Sequence, residues 1–149
     1  MSLHSSFSLV AGIIFLDQVS KFLIHSGMGQ NGSRLKILPH LYFRYEVRNP
    51  GGAFGLFPNR GYLFAIVTAL VIGVLIFALA TMKFALPTVR YGLSLLLGGA
   101  AGNFIDRIIH GAVIDFIQIN CFPVFNVADA AIVAGTVLLI GSLAYQGIQ

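Results

Sequence analysis

Tyr62 to Ala80 contains no charged side chain and comes close to the roughly 20 apolar residues that an α-helix needs to cross a hydrocarbon core. Inside lipid every backbone N–H and C=O of such a run must be satisfied internally, and a helix does so without help from other segments. Comparable runs extend from Phe7 to Ile24, from Tyr91 to Ile109 and from Phe125 to Ala144. With 57% of its 149 residues hydrophobic, 9% charged and a mean hydropathy of +0.88, the chain has too little polar sequence for a separate water-soluble domain. The pattern predicts one membrane domain over residues 1–149, an all-α protein of four transmembrane helices with both termini on the same side. The first run lacks a basic leader and a small-x-small cleavage site, so it reads as a permanent span and not as a cleavable signal. No internal repeat, direct or inverted, is visible.

The segments between the spans differ in kind. A polar, glycine-rich stretch from His25 to Ser33 ends span one, and Leu41-Tyr-Phe-Arg-Tyr-Glu-Val-Arg48 has the aromatic and β-branched character of short strands. A small β-containing loop lying on the membrane between helices one and two is expected from it. Met82 to Arg90 is a short basic connector, and Gly98 with Gly102 has the GxxxG spacing that lets helix backbones approach, so span three is expected to pack against neighbours. The formal charge of +4 is too small and scattered for a nucleic-acid surface, and contact with phospholipid headgroups accounts for it. The first loop carries Arg34, Lys36, Arg44, Arg48 and Arg60 against Lys83 and Arg90 in the connector, and the positive-inside rule taken alone would put that loop in the cytoplasm. Cys121 has no partner in the chain, so no internal disulfide or cysteine-rich metal site is available to it.

The acids narrow the chemistry. Of five, only Glu46 lies in the long loop, whereas Asp17, Asp106, Asp115 and Asp129 sit in or at the ends of spans. A carboxylate at bilayer depth costs about 2.5–3.5 kcal/mol on insertion scales, so each needs a partner or a task. Asp17 and Lys21 share a helix face and form an ion pair by spacing. Asn103, Asp106, Arg107 and His110 fall on one polar stripe, where neutralisation of Asp106 by Arg107 and direct chemistry are equally open readings. Asp129 stands three residues after Asn126, which suits an N-cap with an acid in the first turn. Asp115 has no basic residue within several positions and no evident structural role. Both Asp115 and Asp129 belong to one membrane edge, and the connector between them can fold back. Two close carboxylates resist ionising together, which suits peptide hydrolysis: one accepts a proton from water while the other, protonated, polarises the scissile carbonyl. No metal and no cofactor is called for, since His4, His25, His40 and His110 are scattered without an HExxH pair and no GxSxG elbow occurs.

With these residues in view, the sequence closely resembles the lipoprotein signal peptidases, or signal peptidase II family. The motifs agree in order: Asp17-Gln-Val-Ser-Lys21, Asn49-Pro-Gly-Gly-Ala-Phe54, Gly98-Gly-Ala-Ala-Gly-Asn-Phe-Ile-Asp-Arg107, Gly111-Ala-Val-Ile-Asp-Phe116 and Phe122-Pro-Val-Phe-Asn-Val-Ala-Asp129. The resemblance implies an aspartic endopeptidase that removes the signal peptide of a diacylglyceryl-modified bacterial prolipoprotein just before the lipidated cysteine. Asp115 and Asp129 match the family's catalytic aspartates. Asn103, Arg107 and Asn126 match polar residues lining the same site, and Asp17, Lys21, Asn49 and Asp106 match motif positions of supporting role. The resemblance also implies inhibition by globomycin-type lipopeptides, a monomer, and a multi-pass protein of the bacterial cytoplasmic (inner) membrane. In that arrangement the active site lies at the outer face and both termini in the cytoplasm, against the charge count, with the loop arginines bound to outer-leaflet phosphates. Gly51, Gly52 and Gly55 beside two phenylalanines suggest that Asn49 to Phe57 closes over the site. The sequence departs from its relatives in a short Asp115–Asp129 connector and in ending soon after span four without a basic tail.

Two other classes compete. A proton-coupled transporter also places carboxylates in membrane helices, but its acids would sit near the midplane of a repeat or a dimer, and its activity would vanish in detergent. A non-enzymatic envelope subunit would have packed glycines and no need of a carboxylate pair, so Asp115→Asn and Asp129→Asn would be silent in it.

Overall fold

In a computed structural model, which describes residues 2–27, 34–50, 61–83 and 86–147, each apolar run becomes one long helix. They are α1 (Leu3–Gly27), α2 (Gly61–Thr81), α3 (Pro87–His110) and α4 (Val127–Gly147). Three of the four, Leu3–Gly27, Tyr62–Thr81 and Val127–Gln146, are long and apolar enough to cross a membrane. On α2 the side chains Leu70, Val74 and Phe77 are each 67% exposed, an apolar surface that suits a lipid environment. Helix α3 is comparably long but carries the glycines and the polar stripe, and it packs against each of the other three helices. It begins earlier than its hydropathy suggests. Pro87 occupies the first turn, where its missing N–H is not needed, and Gly111 ends the helix in the left-handed region (φ 71°), donating its N–H to Arg107 O at 3.1 Å.

The glycines explain how close the helices lie. A Cβ on Gly98 would meet Ile13 Cβ at 2.8 Å, and one on Gly102 would meet Asp17 Oδ2 at 2.7 Å, so this GxxxG face is seated on α1. Toward α4, a Cβ on Gly135 would lie 2.6 Å from Gly92 O. The order of these contacts makes α1 and α3 parallel and α4 antiparallel to α3. The C-terminal ends of α1 and α3 therefore meet the N-terminal end of α4, and the start of α1 and the end of α4 lie at the opposite end of the bundle. Val10, Leu79 and Leu97 are buried at its centre.

A three-stranded antiparallel sheet in the order β1-β2-β3 covers the end where α1 and α3 finish. Strands β1 (Arg34–Leu38) and β2 (Leu41–Asn49) bear out the strand character of the first loop, joined by a turn with His40 at φ 70°. The third strand, β3 (Val113–Ile119), corrects the expectation that the sheet belongs wholly to that loop. It comes from the segment between α3 and α4, which reads as a plain connector, and pairs with β2 from Leu41↔Ile119 to Asn49↔Val113. Its sequence, Val-Ile-Asp-Phe-Ile-Gln-Ile, is rich in β-branched residues and bounded by Gly111 and Pro123, as a strand would be, but its buried Asp115 breaks the alternation of apolar and polar positions. After β3 the chain doubles back through Asn120 (φ 50°), so that Phe125 bonds to Ile117 in both directions, its N–H to Ile117 O at 2.9 Å and its O from Ile117 N at 2.8 Å. The segment Gly51 to Phe57, with its proposed closing motion, lies outside the described residues.

Gly135 and Gly141 lie on the same helix, but a Cβ on Gly141 would meet nothing within 4 Å. Gly135→Ala is expected to destabilise the protein by about 1–3 kcal/mol through overpacking, and Gly141→Ala to leave it unchanged or slightly stabilised. Thermal unfolding of the two variants in detergent checks this, and equal midpoints would contradict the close α3–α4 approach.

Candidate active site

Where the helices meet the sheet, two clusters of short polar side chains lie side by side. The first starts from the Asp17–Lys21 pair expected on one face of α1. Lys21 Nζ is 2.6 Å from Asp17 Oδ2 and also 2.6 Å from Asp106 Oδ2, so the partner of Asp106 is Lys21 and not the neighbouring Arg107. The polar stripe of α3 thus divides between two neighbours, with Asp106 facing α1 and Asn103 facing α4. Each carboxylate also holds a backbone N–H: Asp17 Oδ1 accepts from Ala128 at 3.0 Å and Asp106 Oδ2 from Ile114 at 3.0 Å. Ala128 precedes Asp129, and Ile114 precedes Asp115. The supporting pair therefore sets the place of the two remaining aspartates through one peptide unit each. Gln18, which the sequence did not single out, ties the cluster together, its Nε2 lying 3.0 Å from Asp106 Oδ1 and 3.2 Å from Asp17 Oδ2. A glutamine beside the motif's aspartate was the available signal, but its partners lie on α3, far along the chain.

The second cluster centres on Asn126. Its Nδ2 is 2.9 Å from Asp115 Oδ1 and 3.0 Å from Asn103 Oδ1, while its Oδ1 accepts the backbone N–H of Asp129 at 2.8 Å. The latter bond, with Asp129 Oδ2 facing Asn126 N at 3.4 Å, is the helix cap expected from spacing. The cap and the site are the same structure, because Asp129 Oδ1 remains to accept from Asn103 Nδ2 at 2.8 Å. Asn49, the last residue of β2, donates to Asp115 Oδ2 at 3.2 Å. Asp115 is 2% exposed and, among the described residues, has amide donors but no cation within hydrogen-bond distance. Burial, and after it the charge of Asp129, push its carboxyl up to about 7, against the opposing effects of the Asn49 bond, Lys21 and the Asn126 bond. Arg107 is half-buried beside the pair, with its Cζ 6.0 Å from the Phe64 ring of α2 and Nη1 3.4 Å from Asn103 O. Its buried Nε has no hydrogen-bond partner among the described residues.

All nine residues expected at the site, Asp17, Lys21, Asn49, Asn103, Asp106, Arg107, Asp115, Asn126 and Asp129, fall in these two clusters. An apolar cavity of about 580 Å³ opens beside Asp129, walled by Ile119, Phe122, Phe125 and Val133. No group of three or more His, Cys, Asp or Glu side chains able to hold a metal occurs among the described residues.

The fold and the site define a multi-pass membrane protein with buried carboxylates gathered at one end of its helices. Residues 9–145 match the family described as Signal peptidase (SPase) II. The lipoprotein signal peptidase of Pelotomaculum thermopropionicum is 37% identical over 137 residues, 92% of this chain and 90% of that protein. That of Moorella thermoacetica is 40% identical over 127 residues, 85% of this chain and 84% of its own length. Two solved structures of bacterial membrane enzymes, each 32% identical, superpose with TM-scores of 0.88 and 0.83, covering 97% and 94% of this chain and 90% and 92% of theirs. The chain belongs to the signal peptidase II family and is accordingly a membrane protease.

Lys21→Met would leave Asp17 and Asp106 buried and unpaired. We expect a loss of about 3–5 kcal/mol, the usual cost of breaking a buried ion pair from one side. The triple variant Asp17→Asn, Lys21→Met, Asp106→Asn should recover much of it. Unfolding midpoints in detergent test both, and a single variant as stable as wild type would remove the network's structural role.

Proposed function

We propose that the chain is an aspartic endopeptidase that cuts diacylglyceryl-modified bacterial prolipoproteins before the lipidated cysteine, using Asp115 and Asp129. One observation carries the reading. The Asn126 side chain donates to Asp115 while its oxygen caps Asp129, which holds two carboxyls together in a family of proteases.

Two such neighbours share a proton, and the buried Asp115, raised to about 7, is the one that keeps it. A water between the carboxyls gives a proton to ionised Asp129 as its oxygen attacks the scissile carbonyl carbon, and Asp115 passes its proton to the carbonyl oxygen. Asp129 then protonates the departing nitrogen, the C–N bond breaks, and the hydroxyl proton returns to Asp115 as the acid product forms. No proton is gained or lost over the cycle. Asn103 and Asn126 orient the carboxyls, Asn49 positions Asp115, and the half-exposed Arg107 guanidinium beside them faces the substrate backbone. Asp17, Lys21 and Asp106 position both aspartates from below.

The single domain spans the bilayer four times in this reading, with α3 as the span whose polar face its neighbours cover. The sheet and the carboxyls lie at the outer face of the bacterial cytoplasmic membrane and both termini in the cytoplasm. A lipidated substrate then enters sideways from the bilayer, with the apolar cavity beside Asp129 as a wall for its chains and the scissile bond at the water boundary. The enzyme works as a monomer among phospholipids and is inhibited by globomycin-type lipopeptides.

Cleavage of a diacylglyceryl-modified prolipoprotein by purified protein in detergent, with a chelator throughout, tests the proposal. Asp115→Asn and Asp129→Asn should each lower kcat/KM by at least about 10²–10⁴-fold with the fold intact. Undiminished cleavage in either variant would sink the two-aspartate mechanism. Because Asp115 acts protonated, kcat/KM should fall as pH rises through about 7, approaching tenfold per unit above it. A profile that stays flat to about pH 9 would take the proton away from Asp115.

A further inference from the structure

The α1 side of α3 holds a second cavity, of about 400 Å³, that the proposed reaction does not use. Its floor is the Lys21–Asp106 ion pair with Gln18, and its rim brings together three basic side chains from three elements: His25 of α1, Arg48 of β2 and His110 of α3. We propose that this cavity binds the phosphate of a membrane phospholipid.

The chemistry of the rim suits a phosphodiester monoanion. A guanidinium offers paired N–H donors to phosphate oxygens, and two imidazoles add directional donors from either side. Lys21, held between Asp17 and Asp106, adds a buried ammonium to the cavity floor. The His25 ring is held in place by stacking on Tyr45, with centroids 6.3 Å apart and planes 26° apart. The three rim side chains are exposed, whereas the floor is buried, so an anion can be received without first being stripped of all its water.

Depth selects a lipid over a free anion. The cavity sits where α1 and α3 end at Gly27 and His110 and the sheet begins, the level at which an apolar helix surface gives way to polar groups. Phe22 lines the same cavity at 66% exposed, and Ile109, one residue before His110, is 65% exposed. A phosphate at the rim would therefore have its acyl chains lying along apolar side chains. The lipid of the proposed substrate is an uncharged diacylglyceryl group with no anionic oxygen to accept from these donors. The inference is thus independent of the aspartate mechanism. Ile114, whose N–H is held by Asp106, also lines the cavity, which places a bound headgroup one residue from Asp115.

Titration of delipidated, full-length protein in a neutral detergent with dioleoyl phosphatidylglycerol, followed by native mass spectrometry, reads the site directly. One lipid should bind the wild type, and Arg48→Gln, His25→Gln and His110→Gln should each weaken it by about tenfold, the fold-change expected for losing one charge-assisted hydrogen bond. Thermal midpoints identify any variant that misfolds, and His110→Gln, at the exposed end of α3, decides if the others do. Equal binding by all three variants, or equally tight binding of dioleoylglycerol, which lacks the phosphate, would overturn the proposal. Displacement of the lipid by millimolar inorganic phosphate would replace it with a plain anion site.

Discussion

Everything at the site end of the molecule hangs on one buried ammonium. Lys21 lies between Asp17 and Asp106 at 2.6 Å from each, and the three side chains are nearly inaccessible to solvent. Buried charges are costly to desolvate, and the attraction between them seldom repays the whole of it. What such a network supplies instead is position. Each carboxylate has oxygen capacity beyond the lysine and directs it to one backbone N–H, Ala128 at the start of α4 and Ile114 on β3. Four elements, α1, α3, β3 and α4, are held to one point by bonds whose lengths allow little play.

That arrangement is possible only because the helices come unusually close. Aspartate and asparagine are short, and they span between elements only where no side chain holds the backbones apart. Gly102 shows the requirement most directly: a Cβ there would stand 2.7 Å from Asp17 Oδ2, inside the space the carboxylate occupies. Gly98, a turn earlier, lets α1 lie against α3 at Ile13, and the Gly92–Gly135 contact does the same for α4. In lipid, where apolar surface gains little from leaving its surroundings, close packing of small residues is the main attraction left to bring helices together. The glycine face that assembles the bundle is therefore the same one that makes room for the charges at its end.

Much of this was legible in the sequence, and what escaped has a common cause. The helix positions follow from apolar run length, the Asp17–Lys21 pair from its spacing, and the Asn126–Asp129 cap from its order, because each depends on neighbours within a turn or two. The pairing of Asp106 with Arg107, one of two readings its spacing left open, fails for the opposite reason. Adjacent residues on a helix point in different directions, and the true partner, Lys21, comes from a helix far earlier in the chain. Strand β3 was missed because a strand of seven residues declares itself through the edge it pairs with, here β2, more than through its own pattern. Gln18 was passed over because an uncharged amide in an apolar run acquires meaning only once the three groups around its Nε2 are in place.

The four aspartates at this end of the bundle divide into two pairs, and the division explains why one protein keeps so many. Asp17 and Asp106 face a lysine, which pairs with both and makes them fixed points of the structure. Asp115 is as deeply buried, yet among the described residues the groups in bonding distance of its oxygens are the amides of Asn49 and Asn126. An amide donor supports a carboxylate without supplying a charge and offsets only part of the effect of burial, so burial, and after it the charge of Asp129, keep the carboxyl raised to about 7. Had a lysine stood at position 126, the same geometry would have locked Asp115 into an ion pair and left it without a proton to give. The choice of asparagine over a cation at that position separates a carboxylate that holds the fold from one that can exchange a proton at neutral pH.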